Sequence, residues 1–238
     1  WEAMVSLGRE QANEGAHLLD LCVAYVGRDE LRDIGEVVSR FNTQITAPLM
    51  IDSTDVNALD TALQRYAGKA IVNSVNLEDG EERFDKIMNL CKRYGAAVIA
   101  LTIDEEGMAK TAERKFDIAK RILSLAVDKY GMKAENIIFD PLTFTLGSGD
   151  ESFKNAGVET LEAIKLIKGN FPQVKTSLGV SNISFGLKPQ TRVVLNSVFM
   201  HYAINYGLDM AIVHAAKILP LYKIEETEMN LALGSLSA

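Results

Sequence analysis

Carboxylates and carboxamides recur in this chain directly after short apolar runs. Leu49-Met50-Ile51 leads into Asp52-Ser53-Thr54-Asp55, and Ala70-Ile71-Val72 into Asn73-Ser74-Val75-Asn76. Thr102-Ile103 is followed by Asp104-Glu105-Glu106, Ile138-Phe139 by Asp140-Pro141, Leu178-Gly179-Val180 by Ser181-Asn182, and Ile212-Val213 by His214. Asp52 and Asp140 can accept hydrogen bonds from N–H groups, whereas Asn73, Asn76 and Asn182 can donate and accept. Together they suit a flat heterocycle edged with alternating N–H and C=O groups, such as a pterin. A phosphate would call for glycine-rich turns with Lys or Arg, and no GxGxxG or P-loop spacing occurs.

Each of these residues also has a local reading. Asp52 and Ser53 can cap the following helix, and Asp140 before Pro141 is ordinary turn chemistry. Asn73 and Asn76 can bond the backbone at a strand end. Asn182 stands in a polar stretch between Gly179 and Gly186, where a loop role is open as well. His214 is a lone histidine that reads better as structural, and Asp104-Glu105-Glu106 reads as a solvated charge run. Polar endings on at least five strands nevertheless point to a shared purpose.

Strand and helix patterns alternate along the chain. Apolar runs predict strands at 17–23, 48–51, 70–74, 97–103, 137–139, 176–180 and 211–213. Most are continuous, as expected of parallel strands covered on both faces. Apolar spacings of three and four predict helices at 1–13, 31–43, 55–66, 80–94, 111–130, 157–170 and 189–206, the last opened by Pro189. Strand-then-helix repetition means a parallel α/β fold. Seven strands fit a (β/α)8 barrel lacking its first strand, and a doubly wound sheet fits them equally. In a barrel, the polar endings all converge on the C-terminal mouth, where barrel sites are built. The 238 residues are enough for one such domain. We place it at residues 1–222, with 223–238 as a tail or partial helix. The start without Met, inside a helix, is expected of a fragment cut from a longer protein.

Bulk properties exclude some classes. A formal charge of -7 argues against nucleic acid and anionic membranes as partners. No apolar run nears the roughly 20 residues of a membrane span. Cys22 and Cys91 sit in apolar runs and are expected to be buried thiols in a reducing, cytoplasmic setting. Two Cys and the three histidines His17, His201 and His214 lack zinc-site spacing, so no metal is expected in this chain.

Longer strings narrow the reading. IDSTD at 51–55, VNSVN at 72–76, EDGEERF at 78–84, LTIDEEGMAKTAERK at 101–115 and IIFDPLTFTLGSG at 137–149 resemble the folate domain of cobalamin-dependent methionine synthases. So do ETLEAIK at 159–165, LGVSNISFGL at 178–187 and the run at 192–220. The resemblance holds in order from about residue 15 to 220. It implies a TIM-type barrel like that of dihydropteroate synthases, binding 5-methyltetrahydrofolate at its mouth. Asp52, Asn73, Asp140 and Asn182 would then hold the pterin, and Arg192 would contact the rim or the folate tail. Asn182 would serve catalysis at N5, with the methyl group passing to cob(I)alamin on a separate domain of the parent protein. The zinc-dependent homocysteine module is absent from this chain. Ala24 departs from the acidic residue that members often carry there, and a GERTN-type first strand does not precede Trp1. Rival readings are a corrinoid-protein methyltransferase, a dihydropteroate synthase and a folate-binding remnant without turnover. A dihydropteroate synthase needs cations for a pyrophosphate, and the mouth has few beyond Lys217.

Overall fold

The computed structural model describes residues 1–146, 153 and 155–236. The last three residues of the 137–149 string and residues 237–238 of the tail lie outside that range. Six parallel strands lie side by side in chain order: β1 (Leu19–Cys22), β2 (Leu49–Asp52), β3 (Ile71–Val75), β4 (Ala97–Leu101), β7 (Ile137–Asp140) and β8 (Lys175–Thr176). The register pairs Cys22 with Asp52 and Asp52 with Asn73, so three polar residues on adjacent strands stand at one level. Asp140 pairs with Leu101 farther along. A seventh position is filled by residues 210–212, whose Met210 and Ile212 N–H groups donate to Thr176 and Leu178 carbonyls at 2.9 Å each. Among the described residues, no strand pairs with the outer edges of β1 or of 210–212. The sheet is a barrel wall with two free edges.

Helices alternate with the strands and cover the outer face: α1 (Glu2–Asn13), α2 (Glu30–Gln44), α3 (Val56–Arg65), α4 (Glu81–Tyr94), α5 (Ala112–Ser124), α6 (Ala156–Asn170) and α7 (Pro189–Asn205). Alternate strand residues such as Leu19, Leu21, Leu49, Ile51, Val72, Val98 and Phe139 join the helices in the main core. The intervening residues Met50, Ala97, Ile99 and Ile138 form a separate inner cluster with Ile71, Leu101, Met210 and Ile212. Period-two alternation thus divides each strand between an outer, structural face and an inner face that leads up to the mouth.

Several sequence expectations change. The strand expected at 176–180 stops at Thr176, because residues 180–184 coil into a 3-10 turn beginning after Gly179. At 211–213 the Gly179–Ile212 bridge remains, since among the described residues nothing pairs on its outer side to extend a ladder. The strand expected at 97–103 breaks at Thr102, whose N–H turns to the Asp140 carbonyl at 3.2 Å. Beyond it, β5 (Ile103–Asp104) and β6 (Gly107–Met108) form a small antiparallel hairpin. Asp104 is therefore not solvated: it is 4% exposed and ion-paired to Arg114. Cys91 is buried as expected, but Cys22 is exposed, because β1 alternates and turns Asp20 and Cys22 inward toward the open side. The tail residues 226–236 form α8 (Glu226–Leu236), with Ala232 and Leu236 buried in the second core alongside Leu161, Leu195 and Phe199. Leu236 lies against Gly157, where an added Cβ would sit 2.9 Å from it. No helix of the described residues is long and apolar enough to cross a membrane.

Candidate functional site

The inner-face polar residues gather at the C-terminal ends of the strands. Asp52 closes β2, and its role as a helix cap is taken by Asp55, whose carboxylate accepts the Asn57 N–H at 2.8 Å. Ser53 accepts the Asp55 N–H at 3.0 Å and donates to Glu30. Asp52 is thus left for the mouth, where the Cys22 thiol donates to it. Asn73 lies beside Asp52 in the β2–β3 register, and its carboxamide bonds the Asp20 carboxylate. Asn76 does not join them: its Oδ1 accepts the Glu78 N–H at 3.1 Å and shapes the turn before α4.

Asp140 is the most enclosed of the set, at 5% exposure. Its Oδ1 accepts the Leu142 N–H at 2.7 Å, and the Gly179 N–H also donates to the carboxylate. Gly179 links it to Asn182, because a Cβ at Gly179 would lie 3.0 Å from Asn182 Nδ2. The absent Cβ lets the carboxamide settle over the Gly179 backbone. Asn182 is exposed on the 180–184 turn, so a ligand in the mouth can reach it. Arg192, near the start of α7, donates from Nε to Ser184 Oγ at 3.2 Å and from Nη2 to the Ser181 carbonyl at 3.5 Å. It braces the turn that carries Asn182. His214 is exposed at the end of the seventh position.

Electrostatics sharpen the picture. Burial pushes the Asp140 carboxyl up to about 6, against the pull of two N–H donors and of Lys115. Asp20 is raised to about 6 by partial burial, with the like charge of Asp52 adding and the Asn73 carboxamide opposing. Asp52 is raised by burial, the Cys22 thiol opposing and the Glu30 charge adding. Three carboxyl groups held above their usual range line one mouth, and such clustering marks functional sites. Among the described residues no group of three or more His, Cys, Asp or Glu side chains is arranged to hold a metal ion.

Two members of this constellation escaped the sequence reading. Asp20 lies within LLDLCVAYV, which reads as one apolar run. Its signal was the alternation of Leu19 and Leu21 with Asp20 and Cys22. Lys115 lies on α5 among the buried residues Ala112, Ile118, Ala119 and Ile122, and a lysine inside an apolar helical stripe is a signal in itself.

An open α/β barrel with carboxylates and carboxamides converging on its mouth defines a class, and comparison with known proteins gives it a name. A family model described as "Pterin binding enzyme" matches residues 1–214, and the chain belongs to that family. Among curated proteins it is similar to the methionine synthase of Mycobacterium tuberculosis (strain ATCC 25618 / H37Rv), 48% identical over 236 residues. It is also similar to that of Mycobacterium leprae (strain TN), 46% identical over the same length. Each match covers 98% of this chain but only 20% of the relative, so the chain spans about a fifth of those proteins. Among solved structures, the Yersinia pestis dihydropteroate synthase superposes with a TM-score of 0.69 at 15% identity, covering 100% of this chain and 89% of that one. Xanthomonas albilineans dihydropteroate synthase in complex with 7,8-dihydropteroate gives 0.67 at 18%, covering 100% and 86%. At such identities the structures speak for the fold alone.

Proposed function

We propose that this chain is the folate-binding barrel of a cobalamin-dependent methionine synthase. It takes 5-methyltetrahydrofolate at its mouth and presents the N5-methyl group to cob(I)alamin carried by another domain of the same polypeptide. The observation that carries this reading is the convergence of Asp20, Asp52, Asn73, Asp140 and Asn182, carboxylates and carboxamides, on one mouth. The relatives named methionine synthase support it further. Asp52 and Asp140 accept N–H groups from the pyrimidine edge of the pterin, and Asn73 offers both a donor and an acceptor. Arg192 holds the Asn182 turn, and we assign it contact with the pterin rim or the folate tail.

The chemistry demanded of the site follows from the leaving group. Unprotonated, N5 would have to leave as an amide anion, a very poor leaving group, so it must carry a proton when its bond to the methyl carbon breaks. The bonding pair then stays on N5, and tetrahydrofolate leaves as a neutral amine. The acceptor supplies the electron pair of the new bond to the methyl carbon. Carboxylates crowded around the ring make the local potential negative and favour the protonated, cationic folate. Asn182 accepts from N5–H and so stabilises the proton at the atom that needs it.

Calorimetric titration with 5-methyltetrahydrofolate, with Asp140→Ala alongside, tests the reading. Saturable binding that the substitution weakens at least tenfold is expected. A folded protein that ignores the folate would sink the reading. Release of tetrahydrofolate on adding cob(I)alamin then checks the transfer step.

A further inference from the structure

Lys115 is 1% exposed, an uncommon place for an ammonium. Its Nζ donates to the Pro141 carbonyl and, at 3.1 Å, to the Leu142 carbonyl. The Phe144 ring centroid stands 5.7 Å from the same nitrogen. Hydroxyls lie against the same two acceptors: Thr102 Oγ1 donates to Pro141 O at 3.0 Å, and Thr160 Oγ1 stands 2.9 Å from Leu142 O, its one hydrogen shared with the Ala156 carbonyl at 2.8 Å. The turn so gripped is strained at Leu142, a non-glycine residue with φ of 57°. That conformation aims the Leu142 N–H at Asp140 Oδ1.

Two neutral carbonyls, each with a threonine hydroxyl in reach, do not need a full positive charge. Burying one is costly unless an opposite charge shares the site. Two acids face Lys115, Asp140 and, from α6, Glu159. Glu159 is engaged elsewhere, accepting the Ala112 N–H at 2.6 Å. Among the described residues, the other groups that act on the Asp140 carboxylate are the Leu142 and Gly179 N–H donors.

We propose that Lys115 is a positioning residue for Asp140: its ammonium folds the 141–142 turn that presents the Leu142 N–H, and it supplies the buried positive charge opposite the carboxylate. The inference rests on the reading of Asp140 as a pterin-binding group. Burial already holds Asp140 up near 6 with Lys115 present, and Lys115 is itself lowered to about 8, so at neutral pH both are charged. Without the ammonium the carboxyl moves farther toward its neutral form, which cannot accept from the pterin with both oxygens.

The test compares Lys115→Met, Lys115→Gln and Lys115→Arg with the unmodified protein. 5-Methyltetrahydrofolate affinity is measured from pH 5 to 8.5, and the Asp140 carboxyl is followed directly by carbon NMR. In the unmodified protein, affinity is expected to fall as the pH drops through about 6. The Met and Gln variants are expected to move that midpoint, and the NMR midpoint of Asp140, upward by about one unit, weakening binding about twofold at pH 7 and about tenfold at pH 5. Affinity should recover toward pH 8.5. The Arg variant should keep the original midpoint. Equal loss at every pH with an unmoved Asp140 titration would overturn the proposal, as would an Arg variant shifted like the neutral ones. Gln retains a donor for the turn, so it reports on the charge even where Met fails to fold. Asp140→Asn, run in parallel, separates the two layers. If it binds folate normally, the pterin role of Asp140 falls, while the NMR titration still decides whether Lys115 controls its charge.

Discussion

Replacing Asp140 by Asn should change the stability of the fold by an amount that depends on pH in a calculable way. The carboxyl is held at about 6 in the fold against a usual value of 3.8. Between those values the folded chain keeps a proton that the unfolded chain has lost, so stability falls as the pH rises through this window. At pH 8 the ionised, buried form costs about 3 kcal/mol, because 2.2 pKa units correspond to about that much. At pH 4.5 roughly 1 kcal/mol of the cost remains. Asn carries no such term, its misfit beside the Leu142 and Gly179 N–H donors is the same at both pH values, and the Lys115 ammonium it leaves unpaired costs more at pH 4.5 than at pH 8, which acts in the same direction. The difference in unfolding free energy, Asn variant minus unmodified protein, should therefore be about 2 kcal/mol more favourable at pH 8 than at pH 4.5. Urea unfolding at the two pH values measures it. Parallel stability curves would refute the reasoning, for they would mean that Asp140 ionises as easily in the fold as in the unfolded chain.

Asn182→Ala should slow methyl transfer more than it weakens folate binding; equal losses in single-turnover rate and affinity would remove Asn182 from the chemistry at N5. Asp20→Ala should weaken 5-methyltetrahydrofolate binding about tenfold, the size of one lost charged hydrogen bond, and unchanged affinity by calorimetry would place Asp20 outside the site. Gly157→Leu should push Leu236 aside and cost about 1–3 kcal/mol, with lost hydrogen-exchange protection confined to α8. Retained protection at 226–236 would show that α8 does not depend on that contact.

Much of this was legible before the fold was known. Parallel strands buried on both sides must be apolar, so a polar residue at the end of such a run stands out, and Asp52, Asn73 and Asp140 were found that way. Helix boundaries followed from spacing and from Pro189. What escaped depended on local competition. The last two strands shortened because Gly179 opens a tight turn and because residues 210–212 have a partner on one side only. Asp20 and Cys22 were hidden because β1 was read as a continuous run, when its alternation is that of a wall with one open side. Asp104 read as solvated because a charge run normally is; only the hairpin and Arg114 bury it. Lys115 needed contacts made by residues 26 and 27 positions away, which no spacing rule reports.

The two-faced strands imply a division of labour along the sequence. In β1 to β3, Leu19, Leu21, Leu49, Ile51 and Val72 pack outward against helices, while Asp20, Cys22, Asp52 and Asn73 look into the mouth. Neighbouring codons therefore answer to different selective pressures, one guarding the fold and the next guarding the ligand. A saturation-mutagenesis survey scored once for abundance and once for folate capture would produce two interleaved profiles, each peaking where the other is low, with a period of two residues. A chain that drifted away from folate would show it first at every second position of these strands, its intervening residues still recording the ancestral barrel.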